Sequence, residues 1–278
     1  MNKSLNKSIP FSLIMPVYLN SNVKHFKEAM NSIISQTLLP SEIILAIDGP
    51  INNDMENLIK KFKKDSNIKI IRSSVNIGPG AIRHRAILQA KTEIITVMDS
   101  DDISIDNRFE IQIKSFVNKK IDLVGGYIAE FDKSVNDIKL LRKVPLKHSD
   151  IIKKGKWIQP FNNVTIMFKK STYLKSGGYG MGRVLEDSFL FYRMAIINSK
   201  FLNIPKTLVY VRAGDDQLSR RHGIKYFKVE ISLLLSMLNS GYINFYIFIV
   251  SLFIRFIIRC SPKFLLVFFN KTFFRRKL

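Results

Sequence analysis

The sequence predicts an α/β protein with a mostly parallel, doubly wound sheet flanked by helices, and three observations lead there. Four short runs rich in Ile and Val, at Phe11–Tyr18, Glu42–Asp48, 68–72 and 93–99, read as buried strands. Each is followed by a stretch of helical periodicity, so the order through residue 102 is β-α-β-α-β-α-β, the pattern of a parallel sheet. With 46% apolar and 24% charged residues over 278 positions, the chain can bury a full core and is not disordered by composition.

Between these strands, residues 23–36 place Phe26, Met30 and Ile33 on one helical face, residues 55–62 repeat the pattern more weakly, and residues 81–90 follow the turn Gly78-Pro79-Gly80. The second half is less regular. It predicts strands at Leu123–Phe131, 164–168 and 202–211 and a helix at 186–198, extending the same sheet. No repeat or low-complexity linker divides the first 230 residues, so they are expected to form one domain. Ligands of doubly wound sheets sit beyond the carboxyl ends of the strands. Here those ends read Pro16-Val17-Tyr18, Asp48-Gly49-Pro50, Arg72 to Gly80, and Asp99-Ser100-Asp101-Asp102.

The formal net charge is +22, which favours anionic partners: phosphates, nucleic acid or acidic lipid. Residues 231–278 carry seven basic side chains and no acidic one, and 231–254 carry no charge at all. That run is long enough to cross a bilayer as a helix, but Asn239-Ser240-Gly241 breaks it and Arg255 and Arg259 interrupt its continuation. Mixed Phe, Ile, Lys and Arg fit a helix lying in the membrane interface, with a span through 242–258 or a core or oligomer contact as the alternatives. The polar stretch 1–10 predicts no cleaved signal, and the lone Cys260 reads as a packing residue.

Four segments carry chemistry. In Asp99-Ser100-Asp101-Asp102, like charges crowd at a strand end; a magnesium or manganese ion bridging nucleotide phosphates would neutralise them, or the segment is an Asx turn with Asp102 or Ser104 capping a helix at Ile105. Asn76-Ile77-Gly78-Pro79-Gly80 leads into a helix whose first amides, with Arg83 and Arg85, suit an anion, although a plain helix entry explains the glycines equally well. Glu186-Asp187 opens an apolar helix after Gly177-Gly178-Tyr179. The pair either complements the helix dipole or supplies a base for a hydroxyl nucleophile. Arg220-Arg221-His222 is a cationic loop, either solvated or offsetting phosphate charge, with His222 as a further candidate metal ligand.

Taken in order, Met15-Pro16-Val17-Tyr18, Asp48-Gly49, Asn76-x-Gly78 with Arg83, Asp99-x-Asp101-Asp102 and Glu186-Asp187 resemble a family 2 glycosyltransferase of the Rossmann-like GT-A fold. The likeness is to bacterial polysaccharide enzymes of the amylovoran and O-antigen type, and it covers most of residues 10–230. It implies a nucleoside pocket lined by Pro16, Val17 and Tyr18, with Asp48 on the base, Arg83 on the base or ribose and Asp99 on the ribose. Asn76 and Ser100 join the nucleotide-binding set. Asp101 would hold Mn2+ or Mg2+ on the donor diphosphate, Asp187 would be the general base, and Glu186 would hold the acceptor or tune that base. The reaction implied is inverting transfer from a nucleotide-diphosphate donor, UDP by resemblance, to a polysaccharide or lipid-linked acceptor at the cytoplasmic face of the membrane.

The sequence departs from the family pattern at Ile47, where relatives often have a second aspartate, at Asn163, where they often have histidine, and at His222, where glycine is commoner. Trp157 would stack on an acceptor sugar or be buried. The expected division is a catalytic domain over 1–230 and a membrane-associating helical tail over 231–278. A sugar nucleotidylyltransferase is the nearer rival, but the glycine-rich basic loop such enzymes place after the first strand is replaced here by Pro16-Val17-Tyr18-Leu19-Asn20. Nucleic-acid binding is the more distant one: the charge is spread along the chain with no aromatic-basic recognition module.

Overall fold

The computed structural model describes residues 9–65, 67–117, 120–180, 183–213 and 223–260. The alternation read from the sequence is present as β1 (Phe11–Tyr18), α1 (Val23–Ile34), β2 (Glu42–Asp48), α2 (Asn53–Asp65), β3 (Ile68–Ser73), α3 (Pro79–Gln89) and β4 (Ile94–Val97). β1 pairs in parallel with β2 and β4, and β2 with β3. Successive side chains of a strand point to opposite faces, and both faces here are covered. Leu13, Met15, Val17, Ile43 and Leu45 pack against Phe26, Met30 and Ile33 of α1 and Met55 and Ile59 of α2. Ile14, Ile44, Ala46 and Ile95 pack against Ile82, Ala86 and Ile87 of α3 on the other side. Burial on both faces is why these strands are nearly unbroken apolar runs.

After β4 come β5 (Ile103–Ser104), α4 (Arg108–Ile113), β6 (Leu123–Phe131), β7 (Ile138–Arg142), α5 (His148–Gly155), β8 (Met167–Lys169), α6 (Lys170–Lys175), α7 (Glu186–Ile196) and β9 (Phe201–Arg212). The sheet runs β3-β2-β1-β4-β8-β6-β9-β5, with β7 beside β6. β6 and β9 are parallel, whereas β8 is antiparallel to β4 and β6, so the sheet is mixed in its second half. Two expected strands are shorter than read. β4 stops at Val97, where the chain leaves the ladder for the acidic turn. Residues 163–165 form a single helical turn before β8, because the Thr165 hydroxyl donates to the Asn162 carbonyl and accepts from the Gly126 amide.

Two further helices, α8 (Ile224–Asn239) and α9 (Phe245–Cys260), form a hairpin. Leu233, Leu234 and Met237 of α8 pack with Ile243, Phe248 and Tyr192 of α7. Glu230, where the expected division falls, lies inside α8 and is 4% exposed. Arg259 donates to both its carboxylate oxygens at 3.0 Å, and Arg255 stands 3.8 Å away. Two of the seven basic side chains of residues 231–278 therefore pair internally. No helix among the described residues is long and apolar enough to cross a membrane. The outer arc of α9 is apolar and uncharged: Phe245, Tyr246, Ile249, Phe253, Phe256 and Ile257 are all exposed.

Candidate active site

The carboxyl ends of β1 to β4 converge on one edge. On β1, Pro16 and Tyr18 face that edge, whereas Val17 is fully buried in the core between the sheet and α1 and α2. Strand alternation turns the Val17 side chain away from that edge and leaves its backbone there, between Pro16 and Tyr18. Asp48, 4% exposed, accepts from the amides of Ile77 at 2.7 Å and Gly78 at 2.9 Å. Its carboxylate shapes the turn into α3. The turn needs glycine where Gly78 adopts φ +97°, in the left-handed region. Asn76 accepts from Arg183 at its side-chain oxygen (2.8 Å) and its carbonyl (2.9 Å), which links this turn to the chain just before α7.

In the acidic turn the four residues differ sharply. Asp99 accepts from Arg83 Nη2 at 2.5 Å. The Ser100 hydroxyl lies 3.3 Å from that of Ser21, which accepts from the Tyr18 amide. Asp101 is exposed. Asp102 is buried and accepts from the Arg212 amide at 3.1 Å; burial, then the charges of Asp101 and Asp99, push its carboxyl well above the usual range. Arg212 at the end of β9 also donates to the Asp101 carbonyl (3.3 Å) and to Glu28 of α1 (2.6 Å). The helix-cap alternative for this segment is not what forms. α4 begins at Arg108, and neither Asp102 nor Ser104 caps it.

Glu186 and Asp187 open α7, which reaches the acidic turn because Gly80 carries no side chain. A Cβ there would stand 2.6 Å from the Gly180 carbonyl oxygen and 2.8 Å from Glu186 Cβ. Arg83, 4% exposed, donates through Nη1 to Glu186 Oε1 at 3.2 Å while its other arm holds Asp99. One guanidinium so joins the donor-side turn to the acceptor-side helix, and Tyr179 lies 5.9 Å from it. Burial would depress the Arg83 pKa, but Asp99, Tyr179 and Glu186 outweigh that and raise it. Glu186 is pushed up to about 7 by burial and then by Asp187, against the opposing pull of Arg83. Asp187 Oδ1 accepts from the Ser188 amide at 2.8 Å, and the Ser188 hydroxyl donates to Gln159 at 2.7 Å.

Gln159 brings the end of α5 to this helix, and Trp157, two residues earlier, is 37% exposed. Asn163 accepts from the Tyr179 hydroxyl at 3.3 Å. Arg220, Arg221 and His222 lie outside the described residues. Arg212, Arg183 and Gln159 were not singled out from the sequence. Each is a lone polar residue whose partners lie 25 or more positions away, so no local pattern marks it.

A doubly wound half-sheet ending in an acidic turn, faced by a carboxylate pair on a helix start, defines a glycosyltransferase of the GT-A type. The chain belongs to glycosyl transferase family 2, whose description matches residues 12–183. It is 32% identical over 275 residues to an uncharacterized glycosyltransferase of Haemophilus influenzae, covering 96% of this chain and 99% of that one. It is 31% identical over 270 residues to the UDP-Gal:alpha-D-GlcNAc-diphosphoundecaprenol beta-1,3-galactosyltransferase of Escherichia coli, covering 96% and 98%. With the amylovoran biosynthesis glycosyltransferase AmsE of Erwinia amylovora it shares 27% identity over 238 residues, 84% of this chain and 89% of that one. Among solved structures, S. aureus TarS 1–349 with UDP-GlcNAc superposes with a TM-score of 0.68 at 17% identity, over 95% of this chain and 76% of that one. A longer TarS chain gives 0.62 at 18% identity over 90% of this chain, which spans 44% of its length.

Proposed function

We propose that this glycosyltransferase moves a sugar from a UDP-sugar to a hydroxyl of a lipid-linked saccharide, with inversion, while attached peripherally to the cytoplasmic face of a membrane. The observation that carries the reading is Arg83, which holds Asp99 and Glu186 at once and so sets donor and acceptor sides on one guanidinium. The donor would lie over Pro16, Tyr18 and the turn that Asp48 organises, with Asn76 and Ser100 at its rim. Asp187 takes the proton of the acceptor hydroxyl as its oxygen bonds to the anomeric carbon. On the opposite face the bond to the phosphate oxygen breaks, and the nucleoside diphosphate leaves with the electron pair. The Trp157 segment and Gln159 flank the acceptor side.

Asp101, exposed at the acidic turn, would hold a divalent cation through a hard carboxylate oxygen, although among the described residues no three histidine, cysteine or carboxylate side chains come together as a metal cluster of their own. Mn2+ or Mg2+ held by Asp101 would supply neutralisation of the charge growing on the departing diphosphate. The undecaprenol-linked acceptor and UDP donor named for the E. coli relative support the substrate classes proposed here. The apolar outer arc of α9 supports attachment to a membrane surface.

Thermal unfolding with UDP, GDP, CDP and dTDP, each with and without Mn2+, tests donor and metal together. One nucleotide, UDP, should stabilise the protein by about 2.7 kcal/mol at 100 times its Kd. The effect should need metal and should disappear in Asp101→Asn; metal-independent stabilisation retained by that variant would remove Asp101 from the metal site. Release of nucleoside diphosphate, not pyrophosphate, identifies the reaction.

Activity should also rise with pH through about 7, because Glu186 must ionise to pair with Arg83. Its folded pKa lies above the unfolded value, so the folded state holds the extra proton between about 4.5 and 7, and ionising it across that window lowers stability. Glu186→Gln should abolish the rising limb near 7. An unchanged kcat/KM profile would show that Glu186 does not govern it.

A further inference from the structure

The end of α5 is packed onto the C-terminal hairpin. Tyr242, between α8 and α9, donates its hydroxyl to the Ile152 carbonyl at 3.4 Å, and a Cβ on Gly155 would stand 2.6 Å from that hydroxyl oxygen. Arg255 of α9 donates to the Trp157 carbonyl at 3.4 Å. The segment 153–158 beside these contacts reads Lys-Lys-Gly-Lys-Trp-Ile, with Trp157 37% and Ile158 49% exposed. No acidic residue occurs between Asp150 and Glu186 or after Glu230, and Glu230 is already bound by Arg259. A second exposed apolar pair flanked by lysines is thus tied to α9 through Arg255, on the inward face of the helix whose other face is the uncharged arc. An amphipathic indole with neighbouring cations is the chemistry that settles at the boundary of an anionic bilayer.

We propose that Lys153, Lys154, Lys156, Trp157 and Ile158 form a second bilayer contact. Together with α9 it seats the enzyme on an anionic lipid surface through two elements. The inference rests on the membrane attachment proposed above and deepens it by fixing an orientation. Gln159, the next residue, holds Ser188 beside Asp187. The contact therefore ends at the residue before the one that Ser188 of the catalytic helix donates to, and an acceptor hydroxyl on a membrane-held carrier meets the base at the lipid boundary. A single contact on α9 would leave the enzyme free to roll about that helix; two contacts set which edge faces the lipid.

Trp157 is the only tryptophan of the chain, so its fluorescence reports this segment directly. The full chain is titrated with phosphatidylcholine vesicles with and without phosphatidylglycerol, and then with vesicles carrying brominated acyl chains. Emission should shift to the blue and be quenched by the brominated lipid, with binding strongest on anionic vesicles. A cation beside an anionic surface is worth about fivefold in partitioning. Replacing the three lysines together (Lys153→Gln, Lys154→Gln, Lys156→Gln) should then weaken binding roughly 100-fold at low salt.

Vesicle binding with unshifted, unquenched Trp157 emission would overturn the proposal and leave α9 as the sole contact. A blue shift that grows with protein concentration and needs no lipid would assign the surface to a second copy of the chain. Failure to bind vesicles at all overturns it as well. UDP-dependent thermal stabilisation of the same preparation separates these outcomes from failure of the glycosyltransferase reading, because donor binding does not depend on lipid contact.

Discussion

Asp187→Asn is expected to lower kcat about 1,000-fold while leaving donor KM and the fold unchanged. A positioned base contributes roughly 100- to 10,000-fold, and Asn retains an oxygen to accept the Ser188 amide at the helix start. Loss of the charge from the first turn of α7 costs about 0.5 kcal/mol of dipole stabilisation, too little to unfold the domain. Glu186→Gln, which cannot ionise, is expected to keep kcat at every pH near the level wild type shows below 7, because the charge pair with Arg83 never forms. Steady-state nucleoside diphosphate release with saturating donor checks both. If the two variants exchanged behaviour, with Glu186→Gln inactive and Asp187→Asn nearly normal, the roles of the two carboxylates would be reversed.

The first half of the fold was legible because a parallel strand covered on both faces must be apolar throughout, and Ile43, Ile44, Leu45, Ala46 and Ile47 are all buried. The site's outline was legible for a related reason: Asp48, Gly78 and Asp99 mark where those runs stop. Their partners were not. Arg83 resembled a base or ribose contact, yet its guanidinium meets Glu186, 103 positions away, a proximity that only the packing of α3 on α7 creates. β5, with two residues, is too short to show a period and is positioned by its ladder partner β9. The apolar run after Glu230, with Arg255 and Arg259 interrupting its continuation, read as a helix lying in the membrane interface. Arg255 and Arg259 instead turn inward, because an acidic group buried one helix away leaves them no better place.

Arg83→Met should therefore be the most damaging single change in the site. It leaves Glu186, with its side chain 12% exposed, without its cation, while Asp99, 35% exposed, can turn to water. Removing one partner of a buried pair typically costs about 3 kcal/mol or more, and the loss here should depend on pH with a definite sign. A protonated Glu186 needs no partner. In the variant its pKa rises further, because burial and Asp187 persist while the opposing pull of Arg83 is gone. The stability gap between wild type and Arg83→Met should be small well below pH 7 and widen as pH rises through it. Arg83→Met combined with Glu186→Gln should regain much of the loss above pH 7, since the uncompensated charge is removed with its partner. Denaturant unfolding of the four proteins at low and high pH measures the coupling. A gap of equal size at both pH values, with additive losses, would mean that Arg83 stabilises the site through packing alone and that the charge link between donor turn and catalytic helix carries no energy.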